Sequence, residues 1–552
     1  MPMYKYRRIL LILISLFFAV NSYAQYKEDV YDKINRNMEI FGDVYKEILL
    51  NYVDKINADK FFEAGVNGML GTLDPYTVYY SENDKESLDL ITAGKYGGIG
   101  ITISFRDSAL VIVDIMNGYE AMRKGLRRGD IIRKIDGTDI TSLNTETVRK
   151  RVRGTVGSKL LMVVERDKEL LEFELTRQEI ILKDISYYGF LKNYDRNVAY
   201  IKLDRFGTNS ATEFENVLRT LKSEKDIQGL IIDLRNNGGG FLKASIDMLG
   251  MFVEKNNLLL TTEGNKSGSE TKYFSKDTPL LNKDVPVVVL INEGTASASE
   301  IMAGAVQDLD RGVIVGTKSF GKGLVQNIKE LDFGSNLKIT IARYFTPSGR
   351  WIQSKDYFLE NKHGVFNNLE GFRNKEFKTL NGRPVYANGG IMPDVEIKTE
   401  GESEVHKALL MKDMFFKYAS DYVAGNPGIK FFKATDETYA DFNNFLNARN
   451  FDFKSSPEKK LDELKKLLAD KNLDGTLSDY IKAIEQTINS EESAEMQKAK
   501  EEIKQSVEEE INKMIVEEKE QIEATFSSDK ILQEAISIIL DSQRYNSILG
   551  IN

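Results

Sequence analysis

Val285-Pro-Val-Val-Val-Leu290-Ile-Asn-Glu-Gly-Thr295-Ala-Ser-Ala-Ser-Glu300 reads as three things in succession. Val285–Ile291 is a short, unbroken apolar run rich in β-branched residues, as expected of a strand buried on both faces. Small residues fill the turn that follows. Apolar positions at Ile301, Met302, Ala305, Val306 and Leu309 then mark a helix over Ser299–Leu309. Outward from this step the alternation continues. Val198–Leu203, Gly229–Leu234, Val313–Val315 and Leu337–Tyr344 read as further strands and Ala211–Ser223 as a helix. Strands alternating with helices imply an α/β layer with a mostly parallel sheet.

On the N-terminal side the pattern changes. Ile99–Phe105, Leu110–Ile115, Ile131–Ile135, Leu160–Val164 and Leu170–Leu175 read as short strands, with a helix over Thr145–Arg153. Together they make a compact unit of about 85 residues. Earlier still, Val30, Ile34, Met38, Phe41, Tyr45, Ile48 and Tyr52 recur in steps of three and four, one helical stripe. That stripe is expected to pack on its own domain, with a partner helix as the alternative. The chain opens with Lys5, Arg7 and Arg8, an apolar run Ile9–Val20, and small residues at Ser22 and Ala24. This is the pattern of a signal peptide cleaved near Ala24-Gln25, too short to span a bilayer comfortably. The mature protein is expected to be exported, periplasmic or secreted, and soluble. Beyond Thr399 the chain turns helical and charged. Met496, Ile503, Val507, Ile511, Met514 and Ile522 form a stripe that reads as a solvated amphipathic helix and a candidate partner surface.

Composition narrows the chemistry. The 552 residues include no cysteine, one tryptophan and two histidines, His363 and His406. Thiol nucleophiles, Cys-ligated zinc and iron–sulfur clusters are excluded, and HExxH cannot be written. A Ser-His-Asp hydrolase would have to use one of these two histidines; otherwise proton transfer falls to Lys, Asp, Glu or Tyr. The net charge of −9, more acidic once Lys5, Arg7 and Arg8 are lost, argues against a nucleic-acid surface. No cofactor or metal is expected.

Three segments could carry chemistry. The Thr295–Glu300 turn presents side chains at the carboxyl edge of a sheet, where open α/β folds bind ligands, beside the free N–H groups of a helix start. Its second reading is purely structural, since Ser297-Ala-Ser-Glu300 is also a capping box. Gly321-Lys322-Gly323 lets backbone approach a lysine whose burial would leave it neutral near pH 7. Gly238-Gly239-Gly240, after the strand Gly229–Leu234, lets backbone approach a carbonyl without a Cβ in the way.

Taken together, these segments resemble the carboxyl-terminal processing proteases, PDZ-containing Ser/Lys peptidases of family S41. That family carries Thr-Ala-Ser-Ala-Ser-Glu, then Phe-Gly-Lys-Gly 25 residues later and a glutamine four residues on. Ser297, Lys322 and Gln326 keep both spacings. Asp74-Pro75-Tyr76, Asp233–Gly240, Tyr344–Arg350 and Gly389–Asp394 match further, so the resemblance covers about residues 28–397. It implies Ser297 as nucleophile, Lys322 as general base, Gln326 orienting the lysine, and Gly240 and Ala298 as the oxyanion hole. Within residues 94–180, Gly97–Ile101 and Gly125–Gly137 resemble a PDZ domain, whose loop at Gly98, Ile99, Gly100 and Ile101 would bind a peptide carboxylate. The implied architecture is a multidomain α/β protein. It has a signal peptide over 1–24, an N-terminal helical region over 25–93 and a PDZ domain over 94–180. A ClpP/crotonase-like protease core spans 181–400 and a C-terminal helical domain 401–552. The implied partners are proteins or peptides with free C-termini, with a homodimer through the terminal helices and neither nucleic acid nor nucleotide. Two departures stand out. About 35 residues near Ser354–Asn388, including His363, intervene where many members have almost none, and the tail after Thr399 exceeds the shorter members.

Competing motifs are weaker. Gly316–Lys322 fits a phosphate loop, but Gly323 replaces the magnesium-binding hydroxyl and a strand follows. Ser319-Phe-Gly-Lys322 has the S-x-x-K pattern of penicillin-binding enzymes without its partner motifs. Asp470–Gly475 imitates a calcium loop, but Ile481 stands where glutamate is needed, so a helix–helix turn is expected. A PDZ scaffold that only binds tails is the rival from another class.

Overall fold

The computed structural model describes residues 30–551 apart from 85–87, 89, 91–93, 107–108, 167, 266–267, 356, 358–374, 398–402, 452, 454 and 471–473. The expected leader peptide, His363 and the centre of the expected Asp470–Gly475 turn lie outside the described residues. The chain divides into two compact units, Met1–Tyr79 and Tyr80–Asn552.

The first unit holds helix α1 (residues 30–51) and helix α2 (Ala58–Leu70). Tyr45 stacks on Phe61 with ring centroids 5.6 Å apart, and its hydroxyl donates to the Ala58 carbonyl at 2.9 Å. Only this end of the stripe is partly covered. Val30, Ile34, Met38 and Phe41 are exposed, so the expected packing of the whole stripe on its own domain is not found. Helix α2 meets α1 at Tyr45, and a Cβ on its Gly65 would come within 4.0 Å of Phe41 Cζ.

Early in the second unit lies an antiparallel sheet with five main strands, β1 (Ile101–Arg106), β2 (Ala109–Ile115), β3 (Ile131–Ile135), β4 (Lys159–Arg166) and β5 (Glu169–Thr176), and a two-residue strand, Thr138–Asp139, that pairs with β3. They pair in the order β1-β2-β3-β4-β5, which leaves β1 at an edge. Helix α3 (Thr145–Val152), capped by the Asn144 side chain, contributes Val148 and Val152 to a core with Ile99, Ile112, Ile132, Ile135 and Met162.

Next comes the central sheet: β6 (Ile185–Phe190), β7 (Val198–Leu203), β8 (Gly229–Asp233), β10 (Val287–Ile291), β11 (Val313–Gly316) and β14 (Val395–Glu396). Their order is β6-β7-β8-β10-β11-β14, antiparallel at the first pair and parallel after it. Alternation at period two splits each run between two cores. Leu230 and Ile232 face helices α4 (Ser210–Glu224), α5 (Leu242–Leu249) and α6 (Ala298–Asp308), while Ile231 faces the opposite side. A second sheet packs alongside: β9 (Leu258–Gly264) pairs with β13 (Asn336–Phe345), and β13 with β12 (Leu324–Glu330).

The tail holds α7 (Glu404–Met411), α8 (Met414–Gly425), α9 (Asp436–Ala448), α10 (Ser456–Asp470), α11 (Asp474–Lys498), α12 (Lys500–Ile515) and α13 (Glu518–Thr525). Ile503, Val507 and Ile511 of α12 are fully buried against Phe415, Tyr418 and Phe442. This corrects the reading of that stripe as a solvated partner surface, because α8 and α9 of the same chain cover it. The last two helices, α14 (Lys530–Leu540) and α15 (Ser542–Ile548), behave differently. Ile531, Leu532, Ala535, Ile536, Ile538 and Ile539 pack on Tyr200, Ile231, Val288, Leu290, Val313 and Val315. A helix near the C-terminus therefore covers the second face of the central sheet, across the boundary expected at residue 400.

Candidate active site

Ser297 sits between strand β10 and helix α6, where the chain must turn sharply from the sheet into a helix. Its backbone is at φ 57°, ψ −116°, a conformation that L-residues rarely adopt. Such strain persists only where the surroundings fix it, and a strained strand-to-helix turn is how α/β hydrolases expose a nucleophile. The fixing is visible. Thr295 Oγ1 donates to the Leu234 carbonyl at 2.8 Å, and the Asn237 carbonyl accepts from Ala296 N–H at 3.0 Å and Ser299 Oγ at 2.9 Å.

Glu300 is wholly buried and binds two segments at once. Oε2 accepts the N–H of Ser297 at 2.8 Å and of Lys322 at 2.8 Å; Oε1 accepts Ser319 Oγ at 2.6 Å and the N–H of Gly321 at 2.7 Å. Burial pushes its carboxyl up to about 7, against the lowering effect of these hydrogen bonds. The capping box accounts for only one of the four. Tyr344, 1% exposed, complements it from the carbonyl side: its hydroxyl lies 2.6 Å from the Lys322 oxygen and 3.2 Å from the Ser297 oxygen. Neither role was legible in sequence, because the bonded groups lie 19–47 residues away.

Lys322 occupies a loop whose glycines permit close packing. A Cβ on Gly321 (φ +86°) would come within 2.6 Å of Ser354 Cβ, and one on Gly323 within 2.7 Å of Trp351 Nε1. Gln326, on β12, donates through Nε2 to Thr340 Oγ1 at 3.1 Å. On the facing loop, Gly239 packs so closely that a Cβ would lie 2.8 Å from Ser297 Cβ and from Ala298 N. Asn237 Oδ1 engages the N–H of Gly239 at 2.9 Å. Among the described residues, no acceptor engages the N–H of Gly240 or Ala298. Ser297, Lys322, Gln326, Gly240 and Ala298 all line one cleft of about 360 Å³, with apolar walls that include Phe241, Ile301 and Leu324.

The PDZ-like loop lies elsewhere on the second unit. Gly98 ends a strand, Lys95–Gly98, paired antiparallel with Gln178–Ile181. Ile99 is buried at 1% exposure, and its carbonyl accepts Ala121 N–H at 3.0 Å. Gly100 is at φ +82° with a Cβ site 2.5 Å from Tyr119 Cβ, and half-buried Ile101 starts edge strand β1. His406 is buried in the tail, its Nε2 2.7 Å from Ser506 Oγ. No cluster able to hold a metal occurs among the described residues, and no described helix is long and apolar enough to cross a membrane.

Known proteins show the same parts. The family models "Peptidase family S41", "PDZ domain" and "Activating protease CtpB N-terminal domain" match residues 197–360, 87–165 and 18–84. "Probable PDZ-protease, C-terminal helical domain" matches residues 405–539. The carboxy-terminal processing protease CtpB of Bacillus subtilis is 33% identical over 58% of this chain, which spans only 66% of that protein's length. A solved photosystem II D1 C-terminal processing protease is 26% identical over 66% of this chain and 93% of its own, with a TM-score of 0.36. The carboxy-terminal-processing protease of Bartonella bacilliformis is 32% identical over 57% of this chain and 72% of its own length. This chain therefore belongs to the carboxy-terminal-processing proteases of peptidase family S41.

Proposed function

We propose that this chain is a serine endopeptidase that captures exported proteins by their C-terminal tails and cleaves them through a Ser297–Lys322 dyad. The observation that carries the reading is a single cleft lined by a strained serine, a lysine loop bonded to the same glutamate, and the uncommitted N–H groups of Gly240 and Ala298. Neutral Lys322 takes the Ser297 hydroxyl proton as Oγ bonds to the substrate carbonyl carbon. The two N–H groups hold the oxyanion, a contribution typically worth about 10²–10³ in rate per donor. The lysine ammonium then protonates the leaving amine as the C–N bond breaks. Water, deprotonated by the same lysine, attacks the acyl-enzyme; the proton returns to Ser297 as the ester breaks. Gln326 holds the lysine in orientation.

The tail is read by the PDZ-like unit. Its carboxylate meets the loop at Gly98, Ile99, Gly100 and Ile101, and its backbone adds to edge strand β1. The apolar leader supports export, with cleavage near Ala24-Gln25. The exposed stripe of α1 supports a homodimer. Incubation of an unfolded protein with wild type, Ser297→Ala and Lys322→Ala tests the reading. Fragments are expected from wild type only, with each variant folded and slower by at least about 10³-fold. Stable retention of uncut protein by wild type points to a scaffold instead.

A further inference from the structure

Arg235 lies on the run that leads from strand β8 to Gly240, and carboxylates grip its guanidinium from two sides. Nε is 3.0 Å from each oxygen of Asp233, while Nη1 and Nη2 reach Asp529 Oδ1 at 3.0 Å and Oδ2 at 2.7 Å. Asp233 is 2% exposed and also accepts from Tyr200 Oη at 2.7 Å. Burial alone would raise its carboxyl, but the charge and hydrogen bonds of Arg235 outweigh burial and hold it below the usual range. Asp529 belongs to the far end of the chain. It caps α14, accepting Leu532 N–H at 3.0 Å, and α14 is anchored by its buried isoleucines on the same sheet that carries β8.

Beyond Arg235 the run is fastened to the serine turn. Asn236 N–H donates to Asn292 Oδ1 at 2.8 Å, the Asn237 carbonyl holds Ala296 and Ser299, and Gly239 lies against Ser297. The glycine loop is thus bonded to the turn at one end and to the C-terminal helix at the other. A two-pronged arginine–carboxylate pair fixes orientation as well as position. With Asp529 gone, Arg235 keeps only Asp233, two residues back at the end of strand β8, and the loop loses its tie to the C-terminal helix.

We propose that Asp529 is a positioning residue for the glycine loop, which makes the C-terminal helix a working part of the active site. The proposal rests on reading Ser297 as nucleophile and Gly240 as oxyanion donor. Misplacement of about 1 Å by a change far from the chemistry can cost about 10²-fold, and Asp529 itself does not line the cleft.

Full-length Asp529→Ser separates this role from helix capping, because serine is an equally good N-cap but cannot reach Arg235. The expected result is kcat lower by about 10- to 100-fold with KM within about two-fold. Hydrogen exchange should quicken over residues 234–241 while α14 stays as protected as in wild type. Unchanged kcat and unchanged exchange over 234–241 would overturn the proposal, as would a loss confined to melting temperature and α14 protection. Should wild type itself cleave nothing, the peptidase reading fails and the exchange measurement alone decides: faster exchange over 234–241 upholds the tether, no change refutes it.

Discussion

Glu300 joins the serine turn to the lysine loop through four hydrogen bonds from two segments. Glu300→Gln would turn one oxygen into a donor facing two donors. We expect kcat to fall about 10²-fold on a fluorogenic peptide with little change in KM; Tyr344→Phe, which removes one hydroxyl, should cost about ten-fold. Equal kcat in wild type and both variants would refute the clamp. The pH dependence has a definite sign. Burial raises this carboxyl to about 7, above an unfolded value near 4.3. Between those values the folded state holds a proton that the unfolded chain has released. The group's contribution is therefore fully present below about pH 4 and is lost as pH rises through 7. Relative to Glu300→Gln, wild type should lose roughly 2–4 kcal/mol of core stability from pH 4 to 8, measured by urea unfolding; parallel curves would contradict this. The sequence disclosed Glu300 only as a cap, since local spacing reveals a bond to residue 297 but not to residues 319–322.

Strands β7, β8, β10 and β11 were legible because burial on both faces makes each an unbroken apolar run. Strand β6 was not, because Ile185–Phe190 carries serine, tyrosines and glycine at a sheet edge. Helix α5 was hidden behind the glycine run it follows. The charged stretches before it concealed α14, although its own buried residues, Ile531, Leu532, Ala535, Ile536, Ile538 and Ile539, fall along one broad face. Its seating can be tested at Gly229, where a Cβ would come within 2.5 Å of Ile539 Cγ2. Overpacking of this kind costs about 1–3 kcal/mol. Gly229→Ala should lower the melting temperature and, by shifting α14, reduce kcat as well; a variant as stable as wild type would show that helix and sheet are not tightly fitted there.

Across the second unit, a charged contact joins the PDZ-like sheet to the tail helices. Arg106 of β1 pairs with Asp413 and lies 4.5 Å over the Phe416 ring, both charged side chains being 22% exposed. Arg106→Ala should weaken this contact by about 1–2 kcal/mol, seen as faster hydrogen exchange in α8; unaltered exchange would mean that the contact holds nothing. The resemblance of residues 28–397 found the protease parts because separate blocks recur in one order, while the tail carries no short motif of that kind and its helices had to be read from apolar spacing alone. Everything in this account turns on Ser297. Wild type and Ser297→Ala can each be given two peptides that differ only in a free or amidated C-terminus, and the products identified by mass spectrometry. The account predicts cleavage by wild type, faster on the free carboxylate, and none by Ser297→Ala; cleavage by the purified variant at the wild-type rate would contradict it.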